Sequence, residues 1–100
     1  MPNMNTHFHV KNLNGTAGKR CRCSSWLAHW RGLSGQMGFL CGVRHCTSRA
    51  AVGGHVRDMD GRSDNRHYIV PLCAEHNHHT NARVMILSAD VIVEASRGCP

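Results

Sequence analysis

The stretch Cys41-Gly42-Val43-Arg44-His45-Cys46, followed by Gly54-His55-Val56 and then by Ile69-Val70-Pro71-Leu72-Cys73-Ala74-Glu75-His76-Asn77, decides the reading of this chain. It sets two thiols in one loop, a thiol and an imidazole in a second, and a short β-like segment between them. Zn²⁺ accepts thiolate sulfur and imidazole nitrogen in a closed tetrahedral site. Cys41-x4-Cys46 is wider than the tightest knuckle spacing but within the usual gap. Cys73 and His76 lie three apart, so at a helix start they project from one side and grip one ion. The quartet Cys41, Cys46, Cys73 and His76 is the expected structural zinc site. The competing reading makes two of these cysteines small buried hydrophobes.

Size argues for such a staple. The 100 residues suit one domain, 1–100, and Leu, Ile, Val and Phe contribute only 19 of them. That is just under the ~20% at which a charged chain struggles to fold unaided. Ala, Met and Cys inflate the 41% hydrophobic fraction. Against an ordering cost of about 1.5 kcal/mol per residue, so lean a core needs metal or disulfides. Six cysteines allow three disulfides, yet MPNMNTHFHV is polar and histidine-bearing rather than a hydrophobic signal segment. A cytoplasmic location is therefore expected, where thiols stay reduced and cysteines mixed with nine histidines serve as ligands. No run of ~18 apolar residues is present, so no membrane span is expected.

Twelve Lys and Arg against six Asp and Glu give a net charge of +6 and a pI near 9.4. Such a balance favours a polyanionic partner, DNA or RNA; the alternative is that it serves only solubility. Arg outnumbers Lys ten to two, which suits bidentate phosphate contacts.

Working outward, residues 1 to about 20 form a short strand and hairpin or a loose arm, with a turn at Asn14-Gly15. Ser24 or Ser25 caps a helix that sets Trp26, Leu27, Trp30 and Leu33 on one face and ends near Gly32 to Gly35. Ala50 to Val56 and Tyr68 to Val70 read as a hairpin around Asp60-Gly61, with Pro71 as its stop. Cys73 to Thr80 reads as a short helix, and Val84 to Leu87 with Val91 to Val93 as a closing hairpin or a continuing strand.

The run from Cys41 through Gly54-His55-Val56 to Pro71-Leu72-Cys73-x-x-His76-Asn77 resembles the HNH endonuclease group of treble-clef, ββα-metal folds. The resemblance implies a core over about residues 39–82 and a nucleic-acid substrate. It implies that His55 polarises the attacking water, a task suited to imidazole. The residue before that histidine is usually a ligand to a catalytic Mg²⁺ or Mn²⁺, but here it is Gly54, which has no side chain to offer. The family's central Asn falls near Tyr68, with Asn65 the nearest substitute, and the second catalytic-metal ligand aligns with Asn77, followed by His78 and His79. A carboxylate to replace the missing ligand would come from Asp58, Asp60 or Asp64.

Cys21, Cys23, His29 and Cys99 form a candidate second zinc site, should the C-terminus fold back on the N-terminal loop; Cys99 could equally be an unpaired thiol. Trp26 and Trp30 read as a core anchor ahead of a base-stacking platform. His45 and His67 read as surface residues. The expected architecture is a small α+β, zinc-stabilised treble-clef domain of knuckle, β-hairpin and short helix, with an N-terminal helix and a C-terminal β extension. Two function classes follow: a nucleic-acid-binding or nucleic-acid-cleaving protein, and a catalytically inactive zinc-stabilised protein-interaction module.

Overall fold

Short apolar and β-branched runs build an antiparallel sheet here, with β3 buried on both faces, and one capped amphipathic helix covers part of it. The structure, a computed structural model, describes residues 7–13, 25–37, 40–59, 67–78 and 80–95. In chain order these form β1 (His7–Asn12), α1 (Trp26–Ser34), β2 (Val52–Asp58), β3 (His67–Leu72), β4 (Met85–Ser88), a 3₁₀ turn (Ala89–Val91) and β5 (Val93–Glu94). The sheet order is β4-β1-β2-β3-β5. The chain is therefore α+β, with one helix among the described residues.

The first strand decides between the two N-terminal readings in favour of a strand. His7 to Asn12 lies inside the sheet, paired with β2 (Val10 opposite Asp58) and with β4 (Phe8 opposite Leu87). Val10 is fully buried there. The closing hairpin is corrected, because β4 and β5 pair with β1 and β3 and sit at opposite edges.

That arrangement forces curvature. Five flat strands would hold their edges four spacings, or about 19 Å, apart. Residues 89–92 alone join β4 to β5, and five Cα steps reach at most about 17 Å, fewer through a 3₁₀ turn. The sheet must curl, and Phe8 on β1 meets Tyr68 on β3 across its concave side, ring centroids 6.2 Å apart.

The knuckle segment closes the curl. Gly42 N donates to Pro71 O of β3 at 2.7 Å, while Val43 bridges Leu87 of β4 and Arg44 N donates to Ile86 O at 2.8 Å. A Cβ on Gly42 would stand 3.0 Å from Leu87 Cδ2 and 3.4 Å from Pro71, so glycine lets this segment wedge between the two strands. Pro71 does not stop β3, which runs on to Leu72. Leu72 O accepts from Ala51 on the β2 side, so the amide position of Pro71 faces away from β2, beyond the end of short β5. The missing N–H therefore takes no bond from the β2–β3 ladder, and on the far side the knuckle pairs through the Pro71 carbonyl alone.

Two cores result. The concave side packs Val10, Val56, Tyr68, Val70, Leu72, Met85 and Leu87 with Cys41 and Cys73. The other side packs Trp30 on Ile69 and Val93, bordered by Trp26, Leu27 and Leu33. The helix behaves as its sequence says: Ser25 caps it, its Oγ accepting from Ala28 N at 3.1 Å, and Gly35 ends it in a left-handed conformation at φ 73°. Gly53 admits the helix, since a Cβ there would lie 2.5 Å from the Trp26 carbonyl carbon.

Candidate metal centre

Each proposed ligand is delivered by an element already described. Cys41 opens the closing segment, and Cys41 N donates to Ser48 O at 2.9 Å, folding the knuckle into a hairpin. Cys46 N donates to Val43 O at 3.0 Å, and His45 takes φ 67° to complete that turn. Cys73 follows β3, and Asn77 N donates back to Cys73 O at 3.0 Å. This single turn replaces the short helix expected over 73–80. The downstream bonds, His78 N to Glu75 O and Asn81 N to His78 O, follow a three-residue step instead of continuing it.

The ligand atoms of Cys41, Cys46, Cys73 and His76 all lie within 4.8 Å of one another. His76 presents Nδ1, 3.2 Å from Cys73 Sγ and 3.5 Å from Cys41 Sγ. Around a tetrahedral ion with metal–ligand lengths of about 2.0–2.3 Å, donors sit roughly 3.3–3.8 Å apart; the two His76–thiol distances are close to this, and the widest pair would close by about 1 Å on an ion. Donor chemistry agrees, because three sulfurs and one imidazole suit a borderline-soft ion such as Zn²⁺. His76 N also donates to Cys73 Sγ at 3.5 Å.

The thiols differ in acidity. Burial pushes the Cys41 thiol up from 9.0 to about 12, and neighbouring Cys73 adds to the rise against opposing bonds from Val43 and Cys73 backbone. Cys46 is lowered, chiefly by the Ser48 backbone. A bound cation reverses the cost at Cys41, because a coordinating thiol is deprotonated outright.

Two residues missed by spacing rules brace the centre. Asn12 Nδ2, at the end of β1, donates to His76 O at 2.7 Å, and Asn81 Nδ2 donates to the same carbonyl at 2.8 Å. Asn12 Oδ1 is buried with no hydrogen-bond partner among the described residues. The one signal for Asn12 is a polar residue two positions past Val10, on the same side of β1.

The residues expected to carry catalysis are not brought together. His55 is 7% exposed and points to the helix side, its ring 4.4 Å from Trp26 and 6.5 Å from His67. Asn77 lies on the other side of β2, where a Cβ on Gly54 would meet Asn77 Oδ1 at 2.8 Å and Leu72 Cδ1 at 2.5 Å. The space of the family's ligand before His55 is thus filled by Leu72 and Asn77. Tyr68 is buried against Phe8. His78 is exposed, its Nδ1 2.7 Å from Thr80 Oγ1.

Asn65, Asp60, Asp64 and His79 lie outside the described residues, as does the side chain of Asp58. So do Cys21, Cys23 and Cys99 of the second zinc site. Its fourth member, His29, is fully buried beside Trp26 with Nε2 3.3 Å from Glu94 O. Trp30 is a core residue, donating from Nε1 to Val91 O at 2.8 Å. No helix among the described residues is long and apolar enough to cross a membrane. Compared with protein-family models, with curated proteins and with solved structures, the chain matches none of them.

Proposed function

We propose that this chain is a zinc-stapled module that binds nucleic acid by its phosphate backbone and does not cleave it. The knuckle, β2–β3 hairpin and ligand-bearing turn follow one another in treble-clef order, which supports reading the centre as a structural Zn²⁺ site. The observation that carries the binding claim is a transverse row of basic side chains, two of them, Lys11 and Arg57, charged and directly opposite. Lys11, Arg57 and His67 stand in direct register across β1, β2 and β3. Like charges directly opposite on a sheet are destabilising, and a polyanion laid across the row would relieve them. The net charge of +6 and the arginine excess point the same way. Against cleavage stands the separation of His55 from Asn77, with Gly54 unable to accept a ligand side chain.

The test is a salt series of oligonucleotide retention, with a plasmid-nicking assay in Mg²⁺ or Mn²⁺ on the wild type and His55→Ala. The expected result is retention that falls steeply with salt and no nicking by either protein. Nicking that vanishes in His55→Ala would restore the endonuclease reading. Absence of retention at low salt would leave the protein-interaction module.

A further inference from the structure

A cleft beside the metal centre has two basic walls that meet at His76. Its cavity of about 520 Å³ is lined by Val43, Arg44 and His45 from the knuckle and by His76, Arg83 and Met85 from the loop leading into β4. A second cavity of about 380 Å³ shares His76 and Arg83 and adds Asn81, His78 and Glu75. No carboxylate lines the larger one among the described residues, and both arginines are exposed.

The walls are tied to the ligands by hydrogen bonds already on the chain. Arg44 and His45 are the turn between Cys41 and Cys46, anchored to β4 by Arg44 N donating to Ile86 O at 2.8 Å. On the other wall Asn81 acts as a rivet: its Nδ2 donates to His76 O at 2.8 Å, and its Oδ1 accepts from Arg83 N at 3.1 Å. An ion that draws Cys41, Cys46, Cys73 and His76 together therefore sets the spacing of Arg44 and Arg83.

We infer that this cleft is a phosphodiester-binding subsite, formed by Arg44 and Arg83 and held open at the right width by the metal centre through Asn81. The inference rests on the nucleic-acid reading and names a second surface for it, distinct from the Lys11–Arg57–His67 row. Guanidinium groups from two walls grip one phosphate in forked, charge-assisted bonds. Pre-set spacing lowers the ordering cost of that grip.

Anisotropy titrations of a labelled oligonucleotide, single-stranded and duplex, across a salt series test it on the full zinc-loaded chain. Zinc content is checked for every variant. Arg44→Gln and Arg83→Gln should each weaken binding about tenfold at low salt and lower the log–log salt slope by about one. Asn81→Ala removes no charge, yet should weaken binding as Arg83→Gln does, and the double variant should lose little more than either single. The exposed arginines keep the test decisive if Asn81→Ala releases zinc. Wild-type slope in both arginine variants, with loss in Lys11→Gln, would overturn the subsite and leave the binding module standing. No binding by the wild type would overturn both. Displacement by polyglutamate as efficient as by oligonucleotide of equal charge would overturn the phosphodiester assignment.

Discussion

The two sides of the curled sheet are held by different physics. On the helix side, Trp30, Ile69 and Val93 bury large apolar surface under a properly capped helix. On the knuckle side the core narrows toward Cys41, Cys73 and two asparagines, where apolar atoms give way to metal donors. The knuckle side holds the larger buried cluster and ends in a Cys/His set compatible with a metal, whereas the helix side rests on three buried residues and no such donors. The contrast teaches where each perturbation should be felt.

Removing the ion should have the largest effect. Structural zinc sites contribute about 10–16 kcal/mol of apparent binding energy, so chelation under reductant, or Cys73→Ser, should abolish the cooperative melt followed by calorimetry. A full melt in the stripped protein would break the comparison at its root. Trp30→Ala should cost about 3–5 kcal/mol in denaturant titration, with the lost Nε1–Val91 bond included. Yet elemental analysis of that variant should return the wild-type zinc content, because the helix side supplies no ligand to the quartet. Zinc loss in Trp30→Ala would show that the two sides are one cooperative unit.

Smaller changes sharpen the contrast. Gly53→Ala drives a methyl into the backbone of Trp26 and should cost about 1–3 kcal/mol, read as a lower unfolding midpoint with zinc retained. The metal side has a pH signature instead. Burial lifts the free Cys41 thiol to about 12, so at neutral pH binding must expel its proton. Protons sit on the metal-free site and not on the loaded one, so apparent zinc affinity should rise with pH, by about one log unit per pH unit for each thiol deprotonated. A chelator competition at several pH values measures the slope, and a flat profile would contradict the burial argument. Smallest of all, His45→Gly should stabilise the knuckle by about 0.5–1 kcal/mol, because a left-handed backbone costs a side-chain-bearing residue more than glycine.

Legibility followed the range of the interactions. The Ser25 cap, the 3.6-residue apolar spacing of α1 and the Cys-x-x-His turn are contacts within a few positions, and each was readable from type and spacing. The β2–β3 hairpin was readable because its strands adjoin in sequence. β1 was half readable: Phe8-His9-Val10 allowed a strand or a loose arm, and only its pairing with β2 and β4 decides for the strand. Pro71 was read as a stop because its neighbours were unknown; its nitrogen faces away from β2, so the β2–β3 ladder loses no bond, and the knuckle pairs with its carbonyl instead. His55 took a catalytic role only from the resemblance to the HNH group, which puts a histidine at the end of the first strand; strand parity and Trp26 set its ring on the helix side. Asn81 carries no spacing signal and Asn12 only its parity with Val10, both being recruited by one carbonyl of His76.

What the sequence determined by itself is the donor set and the need for it: four soft ligands at bite-sized spacings, in a chain too poor in large aliphatics to do without them. Tertiary structure alone decided that the knuckle closes the sheet between β3 and β4, that His55 and Asn77 part to opposite sides of β2, and that Arg44 and Arg83 line one cleft. Ligand identity is a property of single side chains and their local spacing. Which strands become neighbours depends on chain closure over the whole sheet, and no local pattern encodes that.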